Sequence, residues 1–207
     1  MRLALAALLL LSAAPAFAEE YGCEGVFNAD ATLADIEAVF GKENVVTGEV
    51  PGPEGTTMIA TTINPGDTVN EFQVRWWDEE NTARLAGVTI PLGHSGPGGV
   101  QVGMPIEEVE AINGEAFGLF GFYWDYGGSA GFESGALSAL PGGCHLNLRL
   151  APTAETLTEA QVAAISGDIE LRSDQPEIRA AGVEVWEVNL GYPYPEDPED
   201  ASGTTGD

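Results

Sequence analysis

The cysteine count restricts the fold of this chain more than any other feature. There are 2 in 207 residues, Cys23 and Cys144, and both follow what reads as an export leader. Arg2 supplies the positive start, and Leu3 to Leu11 is an unbroken apolar run. That run is about as long as a signal-peptide core and too short to span a bilayer. Ala16-Phe17-Ala18 is the small-x-small pattern that precedes a cleavage point. Residues 1–18 are therefore expected to be removed after Ala18, and Pro15 argues against their forming a helix of the fold. Export leads to an oxidising compartment, where two cysteines allow one intramolecular bridge. Cys23–Cys144 would close a loop of about 120 residues, contributing ~4–5 kcal/mol by loop entropy. The alternative is two buried free thiols. No C-x-x-C and no basic cluster is present to stabilise a thiolate, so a redox role is not expected. Tyr21-Gly22 before Cys23 is not a lipid-attachment box, and no later stretch is apolar enough to span a membrane. The expected location is soluble, periplasmic or secreted.

Charge narrows the partners. Asp and Glu number 33 against 7 Lys and Arg, a formal net charge of −26, and Lys42 is the only lysine. Such a field repels nucleic acid and anionic membrane surfaces. It suits solubility in a salty medium, or a basic protein or envelope component as partner.

Periodicity points to an α+β fold with short helices on mainly antiparallel sheet. Thr32 to Phe40 is a predicted helix with Leu33, Ile36, Val39 and Phe40 on one face, Thr32 and Asp35 as a capping box and Gly41 as its stop. Val50 to Gly55 reads as a loop. Three strands are predicted next, Thr56 to Ile63, Glu71 to Trp77 and Ala83 to Ile90, the second with Phe72, Val74 and Trp76 on one face. In the third, Leu85, Gly87 and Thr89 alternate with Ala86, Val88 and Ile90. Pro91 to Gly99 is dense in glycine and proline and reads as a linker. It divides residues 19–96, a helix-plus-meander module, from residues 97–192, a second α+β module.

The second module opens with a predicted helix from Pro105 to Asn113, stopped by Gly114. An aromatic run follows, with Phe120, Phe122 and Trp124 expected in the core and Tyr123 and Asp125 opposite. Gly143 to Leu150 is a predicted strand and Thr156 to Ile165 a helix. Val183 to Leu190 closes the fold as a strand, with Val183, Val185 and Glu187 facing away from Trp186 and Val188. Residues 193–207 read as a disordered acidic tail. Aligned on Leu33 and Ile106, the first two helices match at Ile36/Val109, Glu37/Glu110, Ala38/Ala111, Val39/Ile112 and Gly41/Gly114, which suggests an internal repeat.

Gly103-Met104-Pro105-Ile106-Glu107-Glu108-Val109 resembles the helix opening of a family of small secreted bacterial modules. That family includes the beta-lactamase inhibitory protein and the small lipoprotein of the outer-membrane barrel-assembly machinery. The resemblance implies two helix-plus-sheet half-domains and binding without catalysis. Pro105 stands where the family has a serine or threonine cap, and no lipid-anchoring cysteine is present.

Catalytic constellations are sparse. Gly127-Gly128-Ser129-Ala130-Gly131 matches G-x-S-x-G, but no parallel strand–helix pattern surrounds it, and only His145 follows it. His94 and His145 are the only histidines, too few and too isolated for a transition-metal site, and no calcium-loop pattern occurs. No Walker loop or dinucleotide fingerprint occurs either, so no cofactor or metal is expected. Trp77, Tyr123 and Tyr126 are the candidate interaction surface, an aromatic patch with an acidic rim. The expectation is a non-catalytic binding protein. A hydrolase with an unrecognised site is the alternative, and a structural or stress-related solubility role comes third.

Overall fold

The computed structural model describes residues 19–52 and 55–195; the expected leader and the tail beyond Pro195 lie outside them. Four helices, α1 (Leu33–Phe40), α2 (Ile106–Asn113), α3 (Glu159–Ala164) and α4 (Pro176–Ala181), accompany nine strands. In the first half the strands are β1 (Val45–Pro51), β2 (Thr57–Ile63), β3 (Phe72–Asp78) and β4 (Ala83–Thr89). The second half holds β5 (Gly118–Phe120), β6 (Ser129–Ala130), β7 (His145–Pro152), β8 (Glu170–Arg172) and β9 (Val183–Gly191). They form one antiparallel sheet in the order β1-β2-β3-β4-β9-β7-β6-β5-β8. The class is α+β, as the periodicity predicts.

Local chemistry sets the helix ends. Thr32 and Asp35 form the predicted capping box of α1, with Thr32 N donating to Asp35 Oδ2 at 2.9 Å. Gly114 closes α2 in the left-handed region, φ 84°. α3 starts later than Thr156, because Thr158 and Gln161 cap it reciprocally. Several elements carry no clear periodicity and are absent from the sequence reading, two-residue β6 among them. β1 contains Gly48 and Pro51 yet pairs with β2 along its whole length. β8 has three residues, and α4 is a six-residue helix between Pro176 and a left-handed Gly182.

Two bulges correct the expected strand faces. In β9, Val185 pairs with Leu150 and Glu187 with Arg149, leaving Trp186 as the extra residue. Strict alternation would put Glu187 beside Val185. The bulge instead turns Glu187 outward and returns Val188 and Leu190 to the core, both fully buried. In β4, Ala86 is the extra residue between Leu85, opposite Trp76, and Gly87, opposite Arg75. Leu85, Val88 and Ile90 thereby share the buried side, and Gly87 faces the other way.

The core lies on one face of the sheet. Val74, Leu85, Val88, Leu146, Leu148 and Leu190 pack with Ile36 of α1, Ile106 and Val109 of α2, and Ile178 of α4. Arg179 of α4 ties that helix to α2 through Glu110 and, at 3.1 Å, Glu107. Cys23 and Cys144 are bonded, with Cα atoms 5.5 Å apart. Pro91 to Gly99, glycine-rich as a linker is, is pinned at its middle: Ser95 O accepts from Tyr21 N at 2.8 Å, and Pro97 is buried. β4 and β9 pair directly, Gly87 with Gly191 and Thr89 with Asn189, so the sheet is continuous across the midpoint of the chain.

Tyr21 sits edge-on to Phe27 at 5.2 Å in this core. Burial, reinforced by Glu19, pushes its hydroxyl up to about 12, and burial also raises Tyr192, whose hydroxyl donates to the Phe27 carbonyl. An unfolded tyrosine ionises near ~10. The folded state therefore keeps both protons after the unfolded state has begun to lose them, and the stability this contributes below pH ~10 declines as pH rises toward 12. Urea midpoints measured from pH 9 to 12 should fall, and should fall less steeply in Tyr21→Phe/Tyr192→Phe. An equal slope in the two proteins would refute this assignment.

Candidate functional site

An antiparallel sheet with its core on one side leaves the other side open to solvent. Here that open side is a concavity of ≈ 1210 Å³ running from β3 to β8. It is lined mainly by β5 to β8 and the segment after β6, with Glu187 and Asn189 of β9 and Arg75 of β3; beside Arg75 lies the junction of β4 and β9, where Gly87 and Gly191 are direct partners. A Cβ on Gly87 would lie 2.5 Å from Arg75 Nη2, and one on Gly191 would lie 2.6 Å from Asn147 Nδ2. The two glycines thus form a floor across which the guanidinium and the amide extend from opposite sides. Glycine inside a strand weakens it and often marks such a close approach.

Three of the chain's seven basic residues, Arg75, Arg149 and Arg172, line this concavity. The Arg75 guanidinium has no hydrogen-bond or ion-pair partner among the described residues. Arg149 donates from Nη1 to Ser129 Oγ at 3.1 Å and from Nη2 to the Asp125 carbonyl at 3.0 Å, both uncharged acceptors. Its cross-strand neighbour Glu187 turns instead to Asn189 Nδ2, at 2.6 Å. Arg172 is paired with exposed Asp174 at 3.3 Å. Among the described residues, the half-buried guanidinium groups of Arg75 and Arg149 thus have no carboxylate partner, in a chain with 33 Asp and Glu.

Trp77, Tyr123 and Tyr126 are exposed, at 40, 62 and 48%. They do not form one patch. Trp77 lies near the end of β3 and packs on Tyr194 at 5.1 Å. Tyr123 and Tyr126 lie in the β5–β6 connection. Five inter-strand steps separate β3 from β5, roughly 24 Å at ~4.8 Å per strand. The registers also put Trp77 at the His145 end of the sheet and the β5–β6 connection at the Arg149 end.

The aromatic run also departs from alternation. β5 stops at Phe120, after which Gly121 N and Phe122 N donate to the carbonyls of Ile169 and Ile165. Tyr123 then takes a left-handed φ of 63°. Only Phe122 of the three expected core aromatics is fully buried; Trp124 is half-buried, and Phe120 is 39% exposed on the open face. Phe120, Trp124 and Tyr126 form a contiguous group, with ring centroids 6.1 and 5.4 Å apart.

Ser129 lies on β6, paired to Arg149 in antiparallel register, not on a strand-to-helix turn. His145 is four residues along β7 from Arg149, about 13 Å at ~3.3 Å per residue, too far to act on the Ser129 hydroxyl. His94 stacks on Tyr21 at 5.0 Å. Among the described residues no group of three His, Cys, Asp or Glu side chains is placed to hold a metal ion, and no helix is long and apolar enough to cross a membrane.

The chain matches no protein-family model, no curated protein and no solved structure. The residues that build the open face, Arg75, Gly87, Asn147, Arg149 and Gly191, are not among those singled out from the sequence. Two sequence signals bear on some of them: arginines at strand positions of a very acidic chain, and Gly87 inside the predicted third strand.

Proposed function

We propose that this chain is a non-catalytic binding module of the periplasm or extracellular space and that the open sheet face is its binding surface. The unpartnered Arg75 guanidinium laid over the Gly87–Gly191 floor carries this reading. An arginine left without a carboxylate in a chain of net charge −26 is a group kept for something outside the chain. The Cys23–Cys144 bridge fits an oxidising compartment. Two half-domains are part of the same proposal. In each, a helix leads into antiparallel strands whose last member, β4 or β9, lies at the middle of the sheet, while α3, β8 and α4 are inserted in the second. That order, with the matched helices α1 and α2, supports duplication of a helix-plus-sheet unit. The partner is an envelope component, and the acidic excess elsewhere maintains solubility and turns away polyanions.

The test is a crosslinking capture from the exported fraction with purified wild type, Arg75→Glu/Arg149→Glu and Tyr123→Ala/Trp77→Ala. The arginine variant should lose roughly tenfold or more of the captured component, since reversing a charge at a desolvated contact costs several kcal/mol. The aromatic variant should retain it. Equal capture by all three removes the open face from the proposal.

A further inference from the structure

The geometry points to a second site, apart from the open concavity: we infer that the corner formed by Trp77 and Tyr194 binds a quaternary ammonium group. The two rings meet at 74° with centroids 5.1 Å apart, yet the residues stay 40 and 70% exposed. They wall a depression of ≈ 360 Å³ that shares no lining residue with the concavity among the described residues. Asp78, Glu79 and Glu80 form its polar side. Aromatic faces beside carboxylates suit an organic cation, because the ring quadrupole attracts the charge and the carboxylates add to that attraction.

The backbone presets this corner. β3 pairs with β4 on either side of Trp77, Trp76 with Leu85 and Asp78 with Ala83. Tyr194 stands between Pro193 and Pro195. Each proline fixes its own φ, and Pro195 biases Tyr194 toward extended backbone. Buried Tyr192 tethers the segment, its hydroxyl donating to the Phe27 carbonyl. A mostly exposed ring is thus set against Trp77 by a stiff, anchored stretch of chain.

Charge and hydration narrow the ligand. Arg84 also lines the depression, where its charge acts on Asp78. Asn81 engages Asp78 further, donating from N at 3.0 Å and from Nδ2 at 2.9 Å. Glu79 and Glu80 therefore leave the site negative, within a chain of net charge −26, and an anion is repelled by both. A metal ion is not suited, since the described residues include no group of three carboxylate, histidine or cysteine ligands placed to hold one. A quaternary ammonium group has no N–H to satisfy and holds its water weakly. It needs ring faces and diffuse negative charge, and the corner supplies both.

A nuclear magnetic resonance titration of the full chain with choline, following the Trp77 and Tyr194 ring signals, tests this. The controls are 3,3-dimethylbutanol, the uncharged carbon analogue of choline, and sodium at equal ionic strength. Choline should shift both rings saturably. Tyr194→Ala should weaken binding about fivefold or more, as loss of one cation–π face does. Glu79→Gln/Glu80→Gln should weaken it and flatten its dependence on salt. Tyr194 is mostly exposed, so its variant should keep the wild-type circular dichroism and thermal midpoint. An equal response to the uncharged analogue overturns the inference in favour of plain apolar contact. An equal response to sodium overturns it in favour of diffuse counterion attraction, and so does unchanged affinity in Tyr194→Ala. Tighter binding of a lysine peptide overturns it in favour of a basic protein segment. Phosphatidylcholine vesicles carry the same group on a lipid. Cosedimentation with them that choline displaces supports the site with a headgroup as the source, and choline binding without cosedimentation supports it with a free solute.

Discussion

Reducing the Cys23–Cys144 bridge should lower the unfolding free energy by about 3–5 kcal/mol. The two residues are separated by 121 positions. Opening so long a loop returns a large conformational freedom to the unfolded chain, worth ~4–5 kcal/mol by loop entropy. The bridge also fixes native packing. Both cysteines are 3% exposed, and a Cβ on Gly142, which has φ +82°, would lie 2.4 Å from the Cys23 carbonyl. The opening segment that carries Tyr21 and Phe27 into the core therefore presses directly on the turn before β7. Against a total stability of about 5–15 kcal/mol, such a loss is a large fraction. Urea unfolding with and without reductant measures it, with Cys23→Ser/Cys144→Ser as the non-reducible control. A midpoint unmoved by reductant, with thiol labelling confirming that the bridge has opened, would mean that Cys23 contributes nothing to holding the opening segment in place.

This bridge was legible in the sequence because two cysteines admit one pairing. Helices α1 and α2 and strands β3, β4, β7 and β9 were legible for another reason: each buries one face, and burial leaves a period in the sequence; β2 was legible instead as a β-branched run without a breaker. β1 lies at the sheet edge with most of its side chains exposed, so it leaves none. The faces of β4 and β9 were misread beyond one point in each, because a bulge shifts the period by one residue and nothing in the composition marks it. In β9 the extra residue is Trp186, 70% exposed, where a tryptophan suggests core. The open face was the least legible part. It depends on which strands become neighbours, and the contact of β4 with β9 joins residues about a hundred positions apart. Gly87 and Gly191 gain meaning only once that pairing places them side by side under Arg75 and Asn147.

Gly128→Ala should destabilise the protein by about 3 kcal/mol or more, whereas its neighbour Ser129→Ala should cost ~1 kcal/mol or less. The G-x-S-x-G spelling suggests the serine as the residue that matters, and the backbone reverses that order. Gly128 has φ +73°, and a Cβ there would lie 2.0 Å from the Leu150 carbonyl oxygen. Leu150 N donates to the Gly128 carbonyl at 2.8 Å, so the two chains are held at this distance by a hydrogen bond. An alanine would add roughly 1–2 kcal/mol for its left-handed backbone. It would also force β7 away, at a further cost of about 1–3 kcal/mol for separated backbone partners. Ser129, by contrast, offers one acceptor to Arg149 Nη1, and Arg149 keeps its bond to the Asp125 carbonyl when that acceptor is removed. Thermal unfolding of the two variants separates the alternatives. Should Ser129→Ala prove the more damaging, the serine would hold a structural or chemical role that its place beside Arg149 does not explain.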